Sequence, residues 1–131
     1  MFVDTGGWYA SIVPTDRDHQ AALQWLATNR ELLVTSDYVV DEVLTLLRAR
    51  GHQTRAAALG ERLFANQIAR IHHLTVDEIV AAWEVFRNFS DKEWSFTDCS
   101  SKVVMERPGI TTAFAFDHHF RQFGAIQVVP V

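Results

Sequence analysis

Short apolar runs alternate with longer helical stretches along nearly all of this 131-residue chain, and few architectures accommodate that alternation. Phe2-Val3 reads as the end of a first strand. Leu32-Leu33-Val34 is a second, Ala69 to Leu74 a third, Thr112 to Phe116 a fourth and Ile126 to Val129 a fifth. Between them the apolar spacing becomes helical. One helix runs from Gly7 to about Val13 and stops at Pro14. Thr15 caps the next, whose apolar positions are Ala21, Ala22, Trp25 and Leu26. Ser36 or Asp37 caps a third, with Val39, Val40, Val43, Leu44 and Leu47 on one face and an end near Gly51. Further helices cover 53–66, the stretch after a Thr75 to Glu78 capping box, the stretch from Thr97 to about Glu106, and a short turn at Phe120 to Phe123. Strands alternating with helices of roughly 10–15 residues build βαβ units around a parallel sheet. The expected fold class is therefore α/β: one domain over 1–131, with a central parallel five-stranded sheet flanked by helices.

Composition removes several other classes. The chain is 48% hydrophobic and 21% charged, ordinary for a globular protein and too apolar for a disordered one. No apolar run approaches the ~20 residues of a transmembrane helix, and Met1-Phe2-Val3-Asp4 lacks the basic start of a secretory leader. A single cysteine, Cys99, excludes an internal disulfide framework and a multi-thiolate zinc site, and it reads as a small buried apolar residue. A reducing cytoplasm is the expected compartment, with no membrane partner. The net charge is −4, with 12 basic and 16 acidic side chains shared evenly between the halves, so no basic footprint marks a passive nucleic-acid binder.

Ligands of parallel α/β sheets bind beyond the carboxyl ends of the strands. Asp4 directly follows strand one and Asp117 directly follows strand four. Glu42 lies in the second turn of the helix after strand two, and Asp98 at the start of the helix before strand four. Each of Asp4, Asp98 and Asp117 has a simpler reading as the cap of its following helix. Together they describe four acids around one edge. Such anions repel unless protonated or bridged by a cation, and hard oxygen donors suit Mg²⁺, with Mn²⁺ as the substitute. That set serves metal-assisted phosphodiester hydrolysis.

Four stretches carry a family likeness: Phe2-Val3-Asp4-Thr5, Val40-Asp41-Glu42-Val43-Leu44-Thr45-Leu46-Leu47, Ser95-Phe96-Thr97-Asp98-Cys99 and Ala115-Phe116-Asp117-His118-His119-Phe120. In this order and spacing the chain resembles the PIN domain, in particular the VapC-type toxins of bacterial toxin–antitoxin pairs. The resemblance implies a metal-dependent endoribonuclease acting on single-stranded or loop RNA. It implies Asp4 and Asp98 as principal metal ligands, Glu42 and Asp117 as the remaining acids, and Thr97 as a supporting hydroxyl. It also implies a cognate antitoxin, seated near the helices of residues 38–66, and a homodimer. A free-standing PIN nuclease in RNA processing would carry the same acids. A non-cutting PIN-like binding module would have lost some.

Among the other residues, Trp94 precedes Asp98 in a polar loop and is the candidate for stacking on a base. Trp8, Trp25 and Trp83 read as core or interface. His118-His119 reads as helix surface and partial core, and His72-His73 as structural. Arg48, Arg50, Arg55 and Arg62 could bind phosphate, with solvent as the default. Asp4-Thr5-Gly6 matches the aspartic-protease tripeptide, but such a half is β-rich. A dehalogenase-type phosphatase needs an acid where Gly6 stands, and a receiver domain needs a late lysine, whereas the only lysines are Lys92 and Lys102.

Overall fold

The computed structural model describes residues Met1–Val131. Its five strands are β1 (Phe2–Val3), β2 (Val34–Ser36), β3 (Arg70–His72), β4 (Thr112–Phe114) and β5 (Gln127–Val129). They form one sheet in the order β3-β2-β1-β4-β5, every pairing parallel. Six helices connect and cover it: α1 (Thr5–Ile12), α2 (His19–Thr28), α3 (Asp37–Ala49), α4 (Gln53–Phe64), α5 (Val76–Asn88) and α6 (Phe96–Glu106). A 3₁₀ helix spans His118–Gln122.

The strand order positions the site. The chain builds outward from β1 through β2 to β3, then returns to lay β4 on the other side of β1. The reversal point of such a sheet leaves a crevice at the carboxyl ends of the two strands that flank it, here β1 and β4. Phe2 pairs with Ala113 and Val3 with Phe114 across that line.

The apolar sequence pattern explains most of the helices. Val39, Val40, Val43 and Leu47 of α3 are buried on one face. Ser36 caps this helix by accepting the Val39 N–H. The Thr75–Glu78 capping box forms as its spacing predicts. Several boundaries differ from expectation, β3 being Arg70–His72 alone and α1 starting at Thr5, and three differences bear on the site. β2 lies two residues later than the Leu32-Leu33-Val34 run, because Thr35 and Ser36 are wholly buried while Leu32 is exposed. Thr35 Oγ1 donates to the Val3 carbonyl at 2.9 Å and accepts the Trp8 indole N–H at 3.2 Å, which satisfies a polar strand in the core. Thr15 does not cap α2: residues 14–18 form turns in which Asp16 Oδ2 accepts the Asp18 N–H, and the helix begins only at His19. β4 ends at Phe114, so Asp117 stands three residues beyond it.

The 38–66 helix pair does not carry the chain's main surplus of apolar surface. On α4 only Phe64 is a large exposed hydrophobic; α5 exposes Val76, Val80, Trp83 and Phe86, with Phe89 just beyond it. No helix is long and apolar enough to cross a membrane.

Gly7 sets how closely α1 lies on the sheet. A Cβ there would meet the Phe114 carbonyl oxygen at 2.6 Å and Phe114 Cδ1 at 2.7 Å, whereas one on Gly6 would find nothing nearer than 3.8 Å. Gly7→Ala is expected to cost about 1–3 kcal/mol through overpacking against backbone that cannot yield. Gly6→Ala should leave stability nearly unchanged; thermal melts of the two variants beside the parent protein check the contrast.

Candidate active site

The carboxyl ends of β1 and β4 open onto a cleft of about 400 Å³. Asp4, Glu42, Asp98 and Asp117 all line it, joined by Asp16, Asp18 and Glu93. The four acids singled out in the sequence therefore meet in one place, although four separate elements deliver them.

Asp4 leaves the end of β1. Its backbone N–H donates to the Phe114 carbonyl at 3.1 Å and its own carbonyl accepts the Trp8 N–H at 3.1 Å, so β4 and α1 fix the residue from both sides. It stands at the N-cap of α1, yet its side chain accepts no capping hydrogen bond. The residue is 4% exposed, and Oδ1 is buried without a partner. Thr5 Oγ1 beside it is also buried and unpartnered. Glu42 projects half-buried from α3.

Asp98 and Asp117 cap their helices and line the cleft as well. Asp98 Oδ2 accepts the Ser95 N–H at 3.0 Å, while Ser95 Oγ accepts the Asp98 N–H at 3.0 Å, a reciprocal box at the start of α6. Asp117 Oδ1 accepts the His119 N–H at 2.9 Å. His119 then joins the two acids: its Nδ1 lies 2.9 Å from Asp98 Oδ2 and 3.3 Å from Asp117 Oδ1. The ring is largely enclosed, which bears out the partial-core half of the sequence reading and not its helix-surface half. Adjacency to Asp117 was the only signal, and the 3₁₀ turn that folds it back onto α6 has no apolar period to betray it. Ligand atoms of Asp117, His118 and His119 lie mutually within 4.8 Å, whereas the four acids line the cleft more loosely.

The two supporting candidates sit elsewhere. Thr97 is half-buried in a separate depression beside Glu42, with Thr45 and Ala49. Trp94 is 6% exposed. Its indole N–H donates to Gln122 Oε1 at 2.8 Å and its ring packs on Phe89 and Phe123. Trp94 is thus a core residue that ties the 90–95 loop to the 3₁₀ helix, and it offers no open face to a base. Trp8 is buried, Trp25 stacks on Phe114, and Trp83 is half-exposed against Phe86. His72 Nε2 pairs with Glu78 at 2.9 Å, and Cys99 is buried with its thiol pushed up to about 11 by desolvation and the Asp98 charge.

Electrostatics single out Asp4. Burial, opposed in part by the Thr5 amide and reinforced by the charges of Asp98, Glu42 and Asp117, pushes its carboxyl up to about 8. A carboxyl so perturbed, in a cleft with three further acids, marks a site able to hold a cation.

Comparison with known proteins supplies the family. The PIN domain family model matches residues 1–126. The chain belongs to the PIN domain family. It is also 37% identical over 131 residues to the 23S rRNA-specific endonuclease VapC20 of Mycobacterium tuberculosis, spanning 99% of this chain and 98% of that protein. The crystal structure of that VapC20, described as a sarcin-ricin loop cleaving toxin, superposes with a TM-score of 0.92 at 34% identity over 98% of both chains. FitAcB of Neisseria gonorrhoeae shares the fold, with a TM-score of 0.71 at 17% identity over 98% of this chain and 96% of that one. The closely superposing PIN structure has the same single-domain α/β architecture as this chain. PIN nucleases as a group use divalent metal ions.

The Asp4 carboxyl makes stability depend on pH. The folded protein holds this proton up to about pH 8, while the unfolded chain releases it near 3.8, so the folded state binds more protons in between. Metal-free protein should therefore lose stability as pH rises from about 4 to 8. Denaturant unfolding in EDTA at several pH values is expected to show that decline, and Asp4→Asn should flatten it and be the more stable protein at pH 7.5.

Proposed function

We propose that this PIN domain is a divalent-metal-dependent endoribonuclease of the VapC type, with Asp4, Glu42, Asp98 and Asp117 as its acidic site. The observation that carries the reading is the Asp4 carboxylate: nearly enclosed, with one oxygen unpartnered, and facing three other acids in the same cleft. A buried anion in that position is costly unless something positive completes it.

The donor set fits such a cation. Every acid offers hard carboxylate oxygen, which suits Mg²⁺ first and Mn²⁺ as a substitute. Asp4 and Asp98 are the principal ligands in this reading, with Asp117 and Glu42 completing the ring. These residues would hold a divalent ion, which would supply Lewis-acid activation of water and charge neutralisation for phosphodiester hydrolysis. His119 fixes the rotamer of Asp98 and spans to Asp117, a supporting role of the kind that orients metal ligands. Glu42, on a different helix from the capped acids, is the group free to orient water on the open side.

RNA is the substrate supported by the likeness to VapC20, whose description names 23S rRNA, and single-stranded or loop RNA is the form to test first. The same likeness supports a cognate antitoxin, a second copy of the chain as a further partner, and a cytoplasmic site of action. Val76, Val80 and Trp83 recur at helical spacing on exposed α5 and supply apolar surface that a protein partner would cover.

Purified protein is expected to cut a mixed single-stranded RNA pool or 23S rRNA in Mg²⁺ or Mn²⁺ and to stop in EDTA. Asp98→Asn should abolish cutting. His119→Ala should weaken Mn²⁺ binding, read by calorimetry, by about 10–100-fold. Cutting that survives both EDTA and Asp98→Asn would overturn the proposal.

A further inference from the structure

The acidic cleft contains one permanent cation. Seven carboxylates line it, and Arg50 is the only lysine or arginine among them. Four of the other eleven basic side chains pair with a neighbouring acid: Arg17 with Asp18, Arg87 with Glu84, Lys92 with Asp91 and Lys102 with Glu106. Arg50 forms no such pair in spite of its surroundings. Its guanidinium instead stands over the Tyr9 ring, 5.1 Å from the centroid. Tyr9 is itself buried, and His52 meets that ring edge-on at 6.2 Å, so the platform is held from a second direction.

This arrangement is suited to a ligand. Stacking on an aromatic face fixes the plane of the guanidinium without occupying its five N–H donors. Those donors match phosphate bidentately. A polyanion approaching a cleft of seven carboxylates also needs a fixed positive charge near the entrance, because the acids alone repel it. Just after Arg50 in the chain, the exposed Arg55 brings Nη1 to 3.5 Å from His52 Nδ1.

We propose that Arg50, seated on Tyr9, is a phosphate clamp: it binds a backbone phosphate of the RNA next to the one being cut. The inference rests on the nuclease reading and adds a binding subsite to it. Arg50 is here a substrate-binding residue, and Tyr9 is the positioning residue that holds it.

The test uses full-length protein, with RNA affinity read by anisotropy of a fluorescein-labelled single-stranded RNA and with kcat and KM from cleavage of the same RNA. Arg50→Ala is expected to raise Kd and KM about tenfold, as loss of one charge-assisted contact does, with kcat changed far less. The slope of log affinity against log salt should fall by about 0.7, the value for one phosphate contact on a single strand. Arg50→Lys should keep the salt slope but recover only part of the affinity. Tyr9→Leu should weaken binding while the arginine is retained. Arg62→Ala, on exposed α4 outside the cleft, should match the parent protein. A merely structural Arg50 would lower the melting temperature and leave the salt slope alone. RNA cut by the parent protein, with Arg50→Ala unchanged in KM and salt slope, would overturn the clamp and leave the nuclease reading intact. RNA neither bound nor cut would overturn both.

Discussion

The pairing of β1 with β4 is the constraint on which the rest of this molecule depends. β1 contributes only Phe2 and Val3, yet it is the central strand of the sheet, and every crossover is arranged around it. The return to β4 after β3 creates the reversal point, and the Asp4 N–H to Phe114 carbonyl bond closes the ladder where the cleft begins. Gly7 lets α1 descend onto the same Phe114, and Thr35 ties β2 and Trp8 back to Val3. The carboxylate at the strand end is thus located by backbone hydrogen bonds and tight packing, and its Oδ1 has no partner. Such placement is rigid, which a site requires if its ligands are to be held before substrate arrives.

That rigidity has an energetic cost. An enclosed carboxylate facing three others opposes folding whenever it is ionised, and Asp4 answers by keeping its proton to about pH 8. A core that joins both sides of the sheet through Phe2, Phe114 and Phe120 offsets the strain. The local rules that make a stable domain are broken at one strand end, where the family's chemistry would lie.

Much of this was legible in the residues. Periodicity locates all five strands and all six helices to within a few positions, since their apolar faces are regular. Its error at β2 traces to buried polar groups. Thr35 and Ser36 form most of β2, and no hydropathy pattern marks a threonine that is buried because its hydroxyl has both a donor and an acceptor within reach. The four acids were legible from their places relative to strand ends. His119 and Arg50 were not, because one depends on a 3₁₀ turn and the other on an aromatic ring 41 positions earlier in the chain. Trp94 failed in the opposite sense: a tryptophan in a polar loop reads as exposed, but Gln122 satisfies its N–H and lets the ring enter the core.

A helix cap and a site ligand are usually weighed as alternatives for an aspartate that opens a helix. In the proposed site the same carboxylates would serve as both. Asp98 commits Oδ2 to the Ser95 amide and to His119, and its other oxygen has no protein partner. Asp117 commits Oδ1 to the His119 amide. The capping bond freezes the side-chain torsions with one oxygen, so the second is presented at a fixed position with no further loss of freedom. Asp4 lacks a capping bond and is held by burial instead, and it is the acid whose carboxyl is pushed up to about 8. The division follows from geometry: Asp98 and Asp117 each commit one oxygen to a helix start, whereas Asp4 is enclosed at a strand end, where its anion is favoured only when positive charge completes its surroundings.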